Sequence, residues 1–215
     1  MIKVEPLVTL RLMQESDLPM LHDWPNRAHT AEWWSGYEAR PSLDEVVAQY
    51  LPGTLTKESV IPYIAIFEGQ EIGYAQSYIA LGSGEGWWEH ETDPGVRGID
   101  QSLANPGQLN QGVGTRLVRA LVEHLFADPV VTKIRTDPAL GNHRAIRCYE
   151  KAGFVQQEIV TTPDGLAVYM VQTRQTYERT QASTQATPQK LLVSTVFRQE
   201  WPLPNIYERK QLPYS

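Results

Sequence analysis

Asn142-His-Arg-Ala-Ile-Arg-Cys-Tyr-Glu-Lys-Ala-Gly-Phe154 decides how the rest of this chain is read. His143 to Ala152 has the pattern of an amphipathic helix carrying one Tyr. Asn142 stands at its start, and Ala152-Gly-Phe154 turns the chain into a strand. Thirty residues upstream, Gln111-Gly-Val-Gly-Thr-Arg-Leu-Val118 opens another helix. Val113, Leu117, Leu121, Val122 and Leu125 recur at helical spacing, which predicts a helix over Gln111–Phe126. Glycine lets backbone N–H groups approach an anion, and a helix start adds unpaired donors and a favourable dipole. The pair Gly112 and Gly114 therefore suits a pyrophosphate cradle. By itself it suits a plain turn before a helix equally well.

Working outward, Leu7 to Leu12 reads as an opening strand. Ser16 or Asp17 can cap a short helix bearing Leu18, Leu21 and Trp24. Ser42-Leu-Asp-Glu45 has the form of a capping box for a helix through about Leu51, with Val46, Val47 and Tyr50 on it. Pro62–Phe67 and Ile72–Leu81 flank Glu68-Gly-Gln-Glu71, which predicts an antiparallel hairpin. Val96–Leu103, the β-branched Val130–Thr136 and a last strand at Ala167–Thr173 complete the set. The order predicts an α/β fold: a mixed sheet with helices on both faces.

The chain has 215 residues, 41% hydrophobic and 20% charged, the balance of a soluble globular protein with a sizeable core. It contains no apolar run of the roughly 18–20 residues a membrane span needs, and its start lacks the pattern of a secretory signal. Its single cysteine, Cys148, excludes an internal disulfide and fits a reducing cytoplasm. The five histidines show no metal-ligand spacing. Net charge is −6, but residues 176–215 hold five basic and three acidic side chains, so residues 1–175 carry −8. That excess repels nucleic-acid phosphates and favours polycations.

Thr176 to Gln189 is rich in Thr, Gln, Ser and Ala and reads as a linker. The rest of the tail has a short apolar run and no sustained period. It leaves open a docking strand, a partner-binding arm or sequence without a role. The expected division is a domain over 1–175 and a flexible extension over 176–215.

Taken together, the two helix starts, the strand between Gly98 and Ala104 and the Asn142/Tyr149 helix resemble the GNAT acetyltransferases over about residues 7–175. That resemblance implies a sheet whose splayed central strands hold acetyl-CoA. It places the cofactor against Ser102, Leu103, Gln111, Gly112, Val113, Gly114, Thr115 and Asn142. The family usually has Gln or Arg three residues before the first glycine; here that position is Leu109, with Gln108 beside it. Tyr149 would protonate the departing thiolate. The plainer alternatives are a core Tyr and an Asn serving as N-cap.

Longer segments narrow the resemblance. Trp33-Trp34, Glu38-Ala-Arg-Pro41, the run from Ile72 to Asn105 and Thr161-Thr-Pro-Asp-Gly165 resemble the aminoglycoside 6′-N-acetyltransferases. The implied reaction is direct acetyl transfer to the 6′-amine in a ternary complex, on drugs of the kanamycin, tobramycin and amikacin type, conferring resistance. An amine must lose its proton before it attacks, and negative charge on the acyl oxygen needs backbone donors such as those of Ile99 to Leu103. By resemblance Asp100 is the general base. Trp34, Tyr50, Gln76, Ser83, Asp100, Asp137 and Asp164 form the acceptor wall, and Leu103 leans the drug range towards amikacin over gentamicin. Carboxylates and aromatic faces suit a cationic sugar, and Trp33, Trp34, Trp87 and Trp88 supply the faces. One member of each Trp pair is expected in the core. Asp137 before Pro138 and Asp164 before Gly165 also read as turn residues. The expected partners are the aminoglycoside alone, with no nucleic acid, membrane or metal, in a monomer or weak homodimer. Two other readings stay open: a GNAT enzyme for protein N-termini, lysines or polyamines, and an acyl-CoA-binding module without chemistry.

Overall fold

The computed structural model describes residues 7–33, 42–50, 60–84 and 86–186. Seven strands form one sheet in the order β1-β2-β3-β4-β5-β7-β6. They are β1 (Val8–Leu12), β2 (Val60–Phe67), β3 (Gln70–Ile79), β4 (Val96–Leu103), β5 (Lys133–Thr136), β6 (Val155–Thr162) and β7 (Gly165–Thr173). The helices are α1 (Leu18–Asn26), α2 (Ala28–Ala31), α3 (Leu43–Tyr50), α4 (Val113–Phe126), α5 (His143–Ala152) and α6 (Arg174–Ala186).

Alternation along the central strands sends side chains to two cores, as the period of two requires. Tyr63 and Ala65 of β2 join Ile99, Ile134 and Met170 beneath α4 and α5. Ile64, between them, joins Leu18, Leu21, Trp24, Val46 and Tyr50 of α1 and α3 on the opposite face. The helices thus cover both faces, as the mixed-sheet reading expects. Leu117 and Leu121 of α4 are fully buried, so its apolar stripe fixes the helix to the sheet. The Ser42–Glu45 box is formed: the Glu45 carboxylate accepts the Ser42 N–H at 2.7 Å, and Ser42 Oγ accepts the Glu45 N–H at 3.3 Å.

β4 is antiparallel to β3 and parallel to β5. The parallel ladder runs only from Val96↔Lys133 to Gly98↔Arg135, whereas β3 follows β4 on to Leu103. Beyond Gly98 the two central strands part. One edge of Ile99–Leu103 is left without a ladder partner, and a cleft opens there.

Several expectations are corrected. The strand read over Val130–Thr136 begins at Lys133, because Asp128 folds the preceding residues into a turn. Its side chain accepts the Val130 N–H at 3.0 Å and its carbonyl the Val131 N–H at 3.2 Å. The helix read from Gln111 begins at Val113, since Gly112 is left-handed at φ 79°. Asp17 sits at the α1 N-cap position, but its carboxylate turns back to the Gln14 N–H at 2.8 Å and to Arg11 at 2.6 Å and 2.8 Å.

Two strands follow α5, and the sequence order gives bounds only to the second. The first, β6, entered through Ala152-Gly-Phe154, pairs with β7 at the sheet edge and exposes nearly every side chain, so it lacks the apolar alternation that delimits a strand in sequence. The linker expected from Thr176 is helical through Ala186. Arg174 donates to the carbonyls of Phe126, Asp128 and Val131 at 2.5–3.0 Å, satisfying the C-terminal end of α4. Tyr177 lies 4.9 Å from Phe126, ring centre to ring centre. Residues 187–215 lie outside the described residues.

Candidate active site

The cleft between the parted strands has a volume of about 860 Å³. One end is built by the β4–α4 junction and α5. Gly112, Gly114, Thr115, Ser102, Leu103 and Asn142, six of the eight residues that the resemblance places against the cofactor, line it. A Cβ added at Gly114 would sit 3.4 Å from Cys148 Sγ, at the edge of ordinary contact, so the two residues meet on this wall. Gln111 and Val113 do not line the cleft. The Gln111 side chain donates to the Gly107 carbonyl at 2.7 Å, and Val113 is in the core. Only their main-chain groups remain for a ligand at the helix start. Asn142 caps α5, its side chain accepting the Ala145 N–H at 3.1 Å.

Arg144, Arg147 and Lys151 also line this end. Spaced three and four residues apart, they form a cationic stripe on one helix face, suited to phosphate. They are an addition to the expected site, although they stand within Asn142–Phe154; their helical spacing was the signal that could have found them.

The other end is acidic. Asp100 of β4 lies opposite Gln76 of β3, whose side-chain amide donates to its carboxylate at 2.8 Å. Tyr74 donates to the Gln76 carbonyl oxygen at 2.8 Å and fixes which way the amide faces. Burial pushes the Asp100 carboxyl up; the Gln76 bond opposes this and the Asp164 charge adds to it. Asp137, at the end of β5, is pushed up to about 8 by burial and by the charges of Asp100 and Asp164, with Arg135 opposing. Three carboxylates thus crowd one space and repel one another, which makes it a receptor for cations.

Tyr149 is buried on α5, 5.4 Å from Phe154 between ring centres. Its hydroxyl bonds Thr136, while burial and then the Asp100 charge hold the phenol above its ordinary range. It stays protonated, as a proton donor must. Tyr149 and Asp100 line the same cleft. Cys148 beside it accepts a hydrogen bond from Thr115 at 3.6 Å, and burial pushes its thiol up, which disfavours the thiolate that a nucleophile needs.

Tyr50, Gln76, Ser83, Asp137 and Asp164 all line the cleft. Asp164 is both turn residue and wall, its N–H bonding Thr162 Oγ1 at 3.2 Å. Trp34 lies outside the described residues. Trp33 and Trp87 line the cleft, whereas Trp88 does not. Neither Trp87 nor Trp88 is a core residue, because Trp88 is half-buried over Arg135. Tyr78, unremarked in sequence, lines the cleft two residues beyond Gln76 on the same face of β3. The period of two could have found it.

Acetyl-CoA fits these residues on an independent observation. Gln101 Oε1 on β4 and Gln108 Oε1 before the α4 start belong to residues lining the cleft, and each is buried without a hydrogen-bond partner. Native proteins rarely leave such atoms unsatisfied, and a bound ligand or ordered water completes them. Among the described residues no three His, Cys, Asp or Glu side chains, the cleft carboxylates included, come close enough to hold one metal ion, and no helix is long and apolar enough to cross a membrane.

Comparison with known proteins agrees with this architecture. Residues 13–162 match the family model described as an acetyltransferase (GNAT) domain, and the chain belongs to that family. It is 70% identical over 175 residues to the aminoglycoside N(6′)-acetyltransferase type 1 of Klebsiella pneumoniae, covering 81% of this chain and 87% of that one. A solved structure of AAC(6′)-Ib with coenzyme A and kanamycin is 69% identical, covering 81% of this chain and 99% of the other, with a TM-score of 0.78. Another, with ribostamycin and coenzyme A, is 70% identical over 81% and 97% of the two chains, with a TM-score of 0.79.

Proposed function

We infer that this protein transfers the acetyl group of acetyl-CoA to the 6′-amine of aminoglycosides of the kanamycin, tobramycin and amikacin type, conferring resistance. The observation that carries this reading is the meeting of Asp100 and Tyr149 in one cleft where β4 and β5 part, with cationic and acidic ends on either side. Arg144, Arg147 and Lys151, with the amides of the α4 start, hold the phosphates of the cofactor. Acetyl-CoA supplies the acetyl group as a thioester.

Asp137, Asp164 and Asp100 attract the cationic sugar, while Trp33 and Trp87 cover its apolar faces. Asp100 takes the proton that the bound ammonium must lose, directly or through water. The unpaired edge of Ile99–Leu103 offers N–H donors to negative charge developing on the acyl oxygen. Tyr149 gives its proton to the leaving sulfur. No acyl-enzyme is needed, since both substrates share the cleft. Residues 1–175 form the catalytic unit, braced by α6. In this reading the enzyme works in the cytoplasm as a monomer or weak homodimer.

Thiol release tests it. Kanamycin with acetyl-CoA should release coenzyme A, and an analogue bearing hydroxyl at C6′ should release none. Equal response to both, or transfer to a peptide or spermidine exceeding transfer to kanamycin, would overturn the assignment.

A further inference from the structure

Behind the acceptor end, Arg135 gathers a set of charges and rings outside the site itself. It is 8% exposed. Nη1 donates to Glu91 Oε2 at 2.9 Å. The guanidinium carbon lies 3.6 Å from the ring centre of Trp88 and 4.5 Å from that of Tyr169. Lys133, two residues earlier on the same face of β5, meets the same Glu91 oxygen at 3.2 Å. The Arg135 Nε is buried without a hydrogen-bond partner. Hydrogen bonding alone therefore does not account for where the guanidinium sits, whereas stacking between the two rings does.

Glu91 and Trp88 belong to the segment joining β3 to β4, and that segment also supplies Ser83 and Trp87 to the cleft. It is fastened to β5 at Glu91 and, through Asp93, to Thr132 at 2.6 Å. Trp88 is held at φ 50°, a left-handed conformation unusual for a bulky residue, so its neighbours must over-determine it. Its indole N–H donates to the Tyr78 hydroxyl at 3.2 Å. The Tyr78 ring in turn lies against Gly98, the last β4 residue paired with β5. A continuous set of contacts thus runs from Glu91 through Arg135 and Trp88 to Tyr78 in the cleft wall. Of these four, only Tyr78 lines the cleft.

Buried ion pairs seldom add stability over apolar packing, and a role in fixing one conformation is their better-attested use. We propose that Arg135 is a positioning residue: through Glu91 and Trp88 it fixes the β3–β4 segment so that Ser83 and Trp87 grip the acceptor ring. It sets affinity for the amine without touching the reacting atoms. The anchoring rests on the geometry alone, and the effect on the amine rests also on the function inferred above.

Arg135→Gln, Arg135→Lys, Glu91→Gln and the Arg135→Gln/Glu91→Gln pair test it by hydrogen exchange and steady-state kinetics. In Arg135→Gln the amides of residues 86–92 should exchange about tenfold faster or more, while those of α4 keep the wild-type rate. The KM for kanamycin should rise about tenfold, with the KM for acetyl-CoA and kcat within about twofold. Arg135→Lys, which keeps the charge and loses the planar fork, should not restore wild-type values. The double variant should be no worse than the worse single one. Unchanged exchange in the segment overturns the proposal, as does full rescue by lysine or a parallel rise in both KM values. Should Arg135→Gln fail to fold, Glu91→Gln should show the same changes, and the same results would overturn the proposal. A wild-type protein inert towards kanamycin would sink the inferred function, and the exchange rates would still decide whether the clamp exists.

Discussion

Gln76 and Asp100 face each other across β3 and β4, and the Gln76 amide reaches the Asp100 carboxylate at 2.8 Å. The hydroxyl of Tyr74 holds the far side of that amide. The arrangement favours the ionised form of a carboxyl that burial drives towards its neutral form. A base in this cleft therefore depends on a neighbour that never meets the proton being moved.

Gln76→Leu removes that donor, so the Asp100 carboxyl rises further. The base then stays protonated to higher pH, and the acidic limb of kcat/KM moves upward. A hydrogen bond to a charged group is worth about 1.5–3 kcal/mol, so activity at pH 7 should fall about tenfold or more. An unmoved limb in the pH profile would show that Asp100 is not the titrating base.

Asp100→Asn should lower kcat by about 10²–10⁴-fold and leave acetyl-CoA binding nearly unchanged. Tyr149→Phe should slow transfer more than it weakens cofactor binding. Single-turnover rates and coenzyme A titration separate the two effects. Equal losses in both would reduce Tyr149 to a packing residue.

Asp137 makes a prediction about protons. Its folded carboxyl at about 8 lies far above its ordinary value, so between those limits the folded state holds a proton the unfolded state has lost. Stability from this residue therefore falls as pH rises towards 8. Asp137→Asn should melt above the wild type at pH 8, with the gap closing towards pH 4. A bound polycation favours the ionised form, so kanamycin binding at pH 7 should release more protons from the wild type than from Asp137→Asn. Calorimetry in buffers of different ionisation enthalpy reads that difference, and identical proton counts would refute it.

Gly98→Ala would press a methyl group into the Tyr78 ring. The ring must move, and overpacking of this kind costs about 1–3 kcal/mol. The KM for the amine should rise because Tyr78 carries the indole of Trp88. A denaturant titration with unchanged stability would mean that the wall yields freely.

What the residues disclosed and what they concealed divide along physical lines. α4 and α5 were legible because their apolar spacing matches a helix. The extent of β6 stayed hidden because Val155 and Ile159 point to solvent at an edge, where no alternation is demanded. α6 stayed hidden because it is held chiefly by Arg174 and Tyr177, not by an apolar stripe. In the site, Asp100 and Tyr149 were accessible through resemblance. Arg144, Arg147 and Lys151 look like ordinary solvated charges until the fold shows which face they share. The proton affinity of Asp137 was beyond any linear reading, since it arises from burial first and then from the charges of residues 100 and 164.

The parting of β4 from β5 has an evolutionary consequence. The donors offered at that gap and at the first turn of α4 are main-chain amides, which almost no substitution can delete. The acceptor wall is made of replaceable side chains. Selection can therefore retune which drug is captured while the acyl-handling machinery is inherited intact, and new resistance profiles should arise by exchange at the acidic end.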